Sequence, residues 1–130
     1  MSDAALHAAS AAALTVNVED GIAVVTIDLP GEPVNKFSAS VIAEFDELMT
    51  QIEGNAAVKG VVLISGKPDG FIAGADIDAF LDFKSAADAE AASAAGHRVV
   101  SRIERSRVPI VAAIHGACLG AGLEMALACS

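Results

Sequence analysis

Three short runs of aliphatic and β-branched residues, separated by longer stretches with helical periodicity, constrain the fold of this chain most. The runs are Ile22–Ile27, 58–64 and 110–114. Such runs predict strands that are largely buried. Between them, apolar residues recur at intervals of three and four, which predicts helices over 38–53 and 85–105. Strands joined by helices at this spacing predict an α/β fold with crossover connections.

Turn and capping residues divide the chain at the same places. Leu14–Glu19 alternates apolar and polar residues, and the pair Asp20-Gly21 after it is typical of a hairpin turn. The segment 29–37 contains two prolines and a glycine, which predicts a loop. Ser38 is available as the N-cap of the first helix, and Gly54 as its stop.

The charge balance excludes two classes of partner. The chain has 130 residues, with 8 basic and 17 acidic side chains and a formal net charge of −9. Nucleic acids and anionic membrane surfaces both need a basic footprint, so neither is expected as a partner. A small anionic ligand stays possible, because backbone N–H groups at helix N-termini can hold one. No apolar run approaches the roughly 20 residues that a membrane span needs.

The two ends of the chain also carry expectations. Residues 1–13 are rich in alanine, contain Asp3 and have no lysine or arginine, which is the opposite of a targeting peptide. We therefore expect a disordered head, 1–13, on a cytoplasmic protein whose domain occupies 14–130. The last residues form an apolar helical run without a glycine cap or proline stop, which predicts a truncated domain. Cys118 and Cys129 lie in apolar segments and are expected to be buried, reduced thiols.

Two turns of small residues could carry chemistry, because each follows a buried strand and precedes a helix. They span 73–76 and 120–124. The first N–H groups of a helix lack intrahelical partners. Two such turns facing each other would direct two donors at one oxygen, and each donor to an oxyanion is typically worth about 3–4 kcal/mol at the transition state. The alternative, and the commoner case, is that small residues at strand–helix turns only allow tight packing.

Glu124 is the most informative acidic residue. It lies three positions after Ala121 and therefore on the same helix face, one turn further along. Two interpretations are open: it compensates the helix dipole, or it is a catalytic carboxylate. The histidines are weaker candidates, since His115 ends a buried strand, His97 is expected on the surface of the long helix, and His7 falls in the head. The sequence has no serine nucleophile elbow and no phosphate-binding glycine loop.

Both turns lie within longer motifs. Residues 66–77 read GKPDGFIAGADI and resemble the FxAGADI signature of enoyl-CoA hydratases. Residues 109–124 read PIVAAIHGACLGAGLE and resemble the PxxAAxxGxxxGGGxE signature of the same enzymes, and the segment 23–28 followed by Val34-Asn35 also fits. The chain after its head thus resembles the crotonase superfamily. The residues of both motifs resemble most the hydratase domain of the α-subunit of fatty-acid oxidation complexes, in which a 3-hydroxyacyl-CoA dehydrogenase domain follows.

The resemblance implies a crotonase-like ββα spiral, truncated to its first repeats, in an enzyme that adds water to 2-enoyl-CoA thioesters in fatty-acid β-oxidation. It implies that the backbone N–H groups of Ala75 and Ala121 form an oxyanion hole, and that Glu124 is one of two glutamates that activate water. It also implies a set of substrate-binding positions, mainly backbone: Pro33, Val34, Ala73, Gly74, Asp76, Ile77, Gly120 and Gly122.

The sequence departs from the family pattern in three places. Ala121 replaces the middle glycine of the triple glycine, Glu32 and Pro33 stand where relatives often offer a basic residue to CoA, and the second glutamate is expected beyond residue 130. No metal or cofactor is implied: CoA is part of the substrate, and NAD would be needed only if a dehydrogenase domain follows. The implied partners are a further copy of the protein or a thiolase subunit. The alternatives are another crotonase-type reaction, such as double-bond isomerisation or thioester hydrolysis, or a fragment without activity.

Overall fold

The computed structural model describes residues 12–130. Most of the expected head, residues 1–11, lies outside the described residues. Ala13, which we assigned to the head, is buried: its N–H donates to the Glu44 carboxylate at 3.0 and 3.1 Å, and its carbonyl accepts from the Asp28 N–H at 2.8 Å. The described fold therefore already includes Ala13.

Eight strands, three α-helices and one 3₁₀ helix make up the described chain. In order they are β1 Leu14–Glu19, β2 Ile22–Ile27, β3 Lys36–Phe37, α1 Ala39–Glu53, β4 Gly60–Ser65, β5 Gly70–Ile72, β6 Gly74–Ala75, the 3₁₀ helix Ile77–Asp82, α2 Ala86–Glu104, β7 Ile110–Ala113, β8 Ala117–Cys118 and α3 Ala121–Ala128. None of the described helices is both long enough and apolar enough to cross a bilayer.

The main sheet has the strand order β1-β2-β4-β7. Strands β1 and β2 are antiparallel and form the predicted hairpin, with positive φ at both Asp20 (51°) and Gly21 (81°). Strands β2, β4 and β7 are parallel, with Val25 paired to Leu63 and Leu63 paired to Ala112. Because parallel neighbours need crossovers, this sheet confirms the predicted α/β class.

The helices begin where the sequence predicts. The Ser38 hydroxyl accepts from the Val41 N–H at 3.3 Å, and the Ser85 hydroxyl accepts from the Asp88 N–H at 3.3 Å. Helix α1 buries the apolar stripe that its periodicity predicts, namely Val41, Phe45, Leu48, Met49 and Ile52. Helix α2 buries only Val99 and Ile103, both in its C-terminal half. Its N-terminal half is consequently free to line a cavity.

Three boundaries differ from the sequence prediction. The second buried strand begins at Gly60 rather than at residue 58, because the Val58 N–H bonds to the Asn55 carbonyl in the preceding turn. The third ends at Ala113 instead of at residue 114. The turn 73–76 does not lead directly into an α-helix: Gly74–Ala75 is a strand, and a 3₁₀ helix follows. The four strands of two or three residues form two small parallel pairs, β3 with β6 and β5 with β8.

Candidate active site

The two small-residue turns contact each other. Gly74 in β6 has φ 140°, and Gly120, immediately before α3, has φ 52°. Side chains rarely tolerate either conformation, which explains a glycine at each position. A Cβ atom built on Gly120 would lie only 3.5 Å from the Cα atom of Gly74. The backbones of β6 and of the α3 N-terminus are therefore adjacent.

The register of β6 determines the direction of the Ala75 N–H. Phe37 of β3 is paired with Ala75, and the Phe37 carbonyl accepts from the Asp76 N–H at 2.7 Å. In a parallel ladder, a residue bonds to the two neighbours of its partner and not to the partner itself. The N–H of Ala75 therefore points away from β3. Ala75 is exposed, so this donor is open to a ligand.

Ala121 supplies a second open donor. It is the first residue of α3, and within residues 12–130 its N–H has no acceptor. The donors that follow are occupied: the Gly122 N–H bonds to the Leu119 carbonyl at 2.9 Å, and the Glu124 N–H to the Gly120 carbonyl at 3.0 Å. A free N–H on the first turn of a helix also carries the positive end of the helix dipole.

Ala75, Ala121 and Glu124 line one cavity of about 760 Å³. This volume lies within the range of small-molecule sites, which is roughly 300–1,000 Å³. The opposite wall is mostly apolar and comes from the 3₁₀ helix and α2; it includes Ala79, Phe80, Phe83, Ala92, Gly96 and Val100. The cavity thus combines two backbone donors and a carboxylate with an apolar wall.

Glu124 lies on the first turn of α3 and is exposed in the described chain. Its position suits the helix dipole, and its side chain also borders the cavity. Asp76 is another carboxylate in the cavity wall, but its Oδ1 accepts from the Asp78 N–H at 3.2 Å and caps the 3₁₀ helix. Among residues 12–130, no group of three or more His, Cys, Asp or Glu side chains is arranged to hold a metal ion.

Four of the predicted substrate-binding positions lie at the cavity or beside it. Asp76 lines the cavity, while Gly74, Gly120 and Gly122 form the contact between the two turns and the adjacent start of α3. Gly122 is buried, and a Cβ there would lie 2.7 Å from the Cβ and the carbonyl oxygen of Ile72.

The remaining predicted positions lie outside the cavity wall. Pro33, Val34 and Ile77 are exposed and do not border it. The N–H of Ala73 is occupied, because it donates to the Asn35 carbonyl at 2.9 Å.

The cavity wall that α2 forms was not predicted from the sequence. The periodicity of the long helix places Ala92, Ala95, Val99, Val100 and Ile103 on one side. Val99 and Ile103 are buried and Ala92 and Ala95 are not, while Ala92, Ala95 and Val99 all border the cavity. The change from small residues to branched ones along that side of the helix was a signal that could have indicated this wall. The aromatic wall of the 3₁₀ helix, at Phe80 and Phe83, gave no comparable signal because the helix is too short for periodicity.

The histidines and cysteines have no evident catalytic arrangement. The His115 Nε2 lies 2.7 Å from the Lys67 carbonyl oxygen, which agrees with a structural role. His97 is exposed on α2 at the edge of the cavity, and His7 lies outside the described residues. Cys118 and Cys129 are half-buried, so the expectation of full burial was wrong. Burial raises the pKa of both thiols, and the proximity of Cys118 raises the pKa of Cys129 further.

Residues 17–130 match the family model described as enoyl-CoA hydratase/isomerase. The fatty acid oxidation complex subunit alpha of Idiomarina loihiensis is 52% identical over 118 residues, which are 90% of this chain and 17% of that protein. The protein of the same name from Shewanella baltica is 50% identical over 111 residues, 85% of this chain and 16% of that protein. The chain therefore spans about a sixth of the length of these curated relatives.

Solved structures show the same likeness. An enoyl-CoA hydratase/carnithine racemase from Magnetospirillum magneticum superimposes with a TM-score of 0.85 at 27% identity, over 93% of this chain and 45% of that one. An enoyl-CoA hydratase from Mycobacterium smegmatis gives a TM-score of 0.85 at 25% identity, over 92% of this chain and 46% of that one. These likenesses confirm the predicted crotonase-like fold. By its sequence match and its fold, the chain belongs to the enoyl-CoA hydratase/isomerase family.

Proposed function

We propose that this domain adds water to 2-enoyl-CoA thioesters in fatty-acid β-oxidation. The observation that supports this most directly is the contact between the two small-residue turns. It brings the open N–H groups of Ala75 and Ala121 to one cavity, with Glu124 one helical turn further on. Two donors and a carboxylate beside an apolar wall suit a substrate that has a thioester oxygen, a reactive double bond and an acyl chain.

The proposed chemistry uses the two donors for the charge that develops on the thioester oxygen. When the oxygen of water bonds to C3 of the enoyl group, the electrons of the 2,3 double bond shift towards the carbonyl and form an enolate. The N–H groups of Ala75 and Ala121 stabilise that oxyanion, and each such donor is typically worth about 3–4 kcal/mol. Glu124 orients the water and accepts its proton. The second carboxylate of the reaction delivers a proton to C2, which completes the addition and regenerates the thioester carbonyl. Glu124 then returns its proton through solvent, so that both carboxyl groups regain their starting states.

The second carboxylate of the reaction is expected outside the residues that line this cavity. Asp76, the other acidic side chain in the wall, is engaged in capping the 3₁₀ helix. We therefore propose that water activation also needs a glutamate beyond residue 130, and that the 130-residue chain alone hydrates its substrate slowly.

The setting of the reaction follows from the relatives. Since the curated relatives are named as α-subunits of a fatty acid oxidation complex, we propose that the whole protein works in such a complex in the cytoplasm. Its partners would be further copies of itself or a thiolase subunit. Hydration itself needs no cofactor, and NAD would be needed only by an accompanying dehydrogenase domain.

Double-bond isomerisation is the second candidate, because the matched family includes isomerases. The same two donors would stabilise a dienolate, and the carboxylate would move a proton between carbon atoms without adding water. Incubation of crotonyl-CoA and of a 3-enoyl-CoA with the protein distinguishes the reactions, since only hydration yields a 3-hydroxyacyl product.

The change Glu124→Gln tests the proposed function in the protein that the complete reading frame encodes. The amide keeps the shape of the side chain but cannot accept a proton, so we expect turnover to fall by roughly 10²–10⁴-fold with an unchanged melting temperature. If Glu124 only compensates the helix dipole, stability should fall by at most about 1 kcal/mol and turnover should stay near normal.

Glu104→Gln is the matched control, because Glu104 is an exposed helical glutamate that does not border the cavity. It should retain wild-type turnover. Normal turnover in a folded Glu124→Gln variant would remove Glu124 from the mechanism, and the absence of crotonyl-CoA binding by the wild type would refute the function itself.

A further inference from the structure

Asn35 is almost completely buried, with 1% of its surface exposed, in the loop between β2 and β3. Its Oδ1 accepts from the Leu29 N–H at 3.1 Å. Its Nδ2 lies 3.1 Å from the Ile27 carbonyl, 2.9 Å from the Ser65 hydroxyl and 2.9 Å from the Phe71 carbonyl. An amide NH₂ group has two hydrogens, so these three acceptors share two donors. One side chain thus joins the ends of β2 and β4 to β5.

Ser65 extends this connection into the loop that precedes β5. Its hydroxyl donates to the Gly70 carbonyl at 2.6 Å and accepts from the Lys67 N–H at 3.0 Å. Asn35 and Ser65 are the two buried polar side chains of the described chain, and they are bonded to each other. Buried polar groups of this kind are costly when unpaired, so the network holds its strand ends in one arrangement.

The backbone at Asn35 continues directly to the oxyanion-hole donor. The Asn35 carbonyl accepts from the Ala73 N–H at 2.9 Å, and the next two residues, Lys36–Phe37, pair with Gly74–Ala75. A two-residue strand has too few ladder bonds to fix its own position. The place of β6, and with it the direction of the Ala75 N–H, therefore depends on the segment that the Asn35 side chain anchors.

We propose that Asn35 is a positioning residue for the oxyanion hole: it holds β3, and through β3 it holds β6 so that the Ala75 N–H meets the thioester oxygen. This inference rests on the proposed function. The geometry is demanding, because an oxyanion donor acts over about 2.7–3.1 Å. A misplacement of about 1 Å can reduce a reaction rate by a factor near 10².

The test measures the donor directly, through the substrate carbonyl. Crotonyl-CoA carrying ¹³C at the thioester carbonyl is bound to the 130-residue chain, and the carbonyl stretching frequency is recorded by infrared difference spectroscopy. Hydrogen bonds polarise the carbonyl, so the wild type should lower the frequency relative to free crotonyl-CoA. In Asn35→Ala we expect a smaller decrease, while affinity for free CoA stays within about threefold. In the protein that the complete reading frame encodes, kcat should fall about 10²-fold with little change in KM, as when one oxyanion donor is lost.

Arg107→Ala serves as the matched control. Its guanidinium also holds three backbone carbonyls, those of Ile52, Asn55 and Val58, but none of these residues borders the cavity. This variant should lose stability and keep the full frequency decrease. If Asn35→Ala does not fold, Ser65→Ala decides the question, because it removes one Asn35 partner and leaves the others.

The outcomes separate the inference from the proposed function. Absence of crotonyl-CoA binding by the protein that the complete reading frame encodes refutes the function. A wild type with the frequency decrease, together with Asn35→Ala or Ser65→Ala variants that retain all of it, refutes the positioning role alone. An equal loss in Arg107→Ala also refutes it, because the effect would then come from general destabilisation.

Discussion

Replacement of Gly122 by alanine should destabilise the protein, although alanine favours helices. In a helix interior, Gly→Ala usually adds about 0.5–1 kcal/mol of stability. Helix α3 lies so close to β5, however, that the new Cβ would sit 2.7 Å from both the Cβ and the carbonyl oxygen of Ile72. Because a backbone carbonyl cannot rotate away, the helix must shift, and overpacking of this kind costs about 1–3 kcal/mol. The difference between this cost and the propensity gain is a net loss centred on about 1 kcal/mol and at most about 2.5 kcal/mol.

Gly96→Ala in α2 is the same substitution without the contact. A Cβ at Gly96 meets nothing within 4 Å, so the helix-propensity gain of about 0.5–1 kcal/mol should remain. Urea denaturation of the two variants and the wild type measures both changes. Crotonyl-CoA binding should weaken in Gly122→Ala, since the displaced helix carries the Ala121 N–H. Gly96 borders the cavity, so Gly96→Ala is a control for stability alone. A Gly122→Ala variant as stable as the wild type would refute the close approach of α3 to β5, and a destabilised Gly96→Ala would refute the open space at that position.

Two further predictions concern the surface and the thiols. Several large apolar side chains of β7, of α3 and of the segment between β8 and α3 are exposed, among them Val111, Leu119, Leu123 and Leu127. The 130-residue chain should therefore bind a hydrophobic dye or self-associate, and Leu127→Glu should reduce this; a monomer with a cooperative melt and no dye binding would contradict it. Because burial raises the pKa of Cys118 and Cys129, both should react with a maleimide more slowly than free cysteine at pH 8, with the difference shrinking as pH rises. Equal rates at pH 8 would show that the thiols are not protected.

The elements that the sequence predicted well have strong local signals. The hairpin of β1 and β2 depends on Asp20-Gly21, and the helices α1 and α2 begin at the serines that cap them. The strands β3, β5, β6 and β8 have two or three residues each, too few for any periodicity. They exist because tertiary contacts hold them, and the network around Asn35 is one such contact. No pattern in the neighbouring sequence indicates it.

Local sequence signals indicated part of the candidate site, and the rest of it depends on tertiary contacts. The small-residue turns indicated only that two donors could face each other, and the resemblance to enoyl-CoA hydratases assigned these donors to Ala75 and Ala121, with Glu124 beside them. The three residues line one cavity. The direction of the Ala75 N–H could not be predicted, because it follows from the pairing of Phe37 with Ala75. The cavity wall on α2 was missed, although the change from small to branched residues along one side of that helix was a signal for it.

The contact between Gly74 and Gly120 has a consequence for the order of folding. The donors at Ala75 and Ala121 are 46 residues apart in the chain, and α2 lies between them. Closing a loop of this length has an entropic cost that local structure does not offset. The hairpin and α1 can form from nearby residues, whereas we expect the two donors to meet only after α2 has packed and β7 has joined the sheet. Under the proposed function, a partly folded chain would hold much of its secondary structure but bind no thioester. An acyl-CoA ligand would then stabilise the completed fold selectively, and its binding would report the last step of folding.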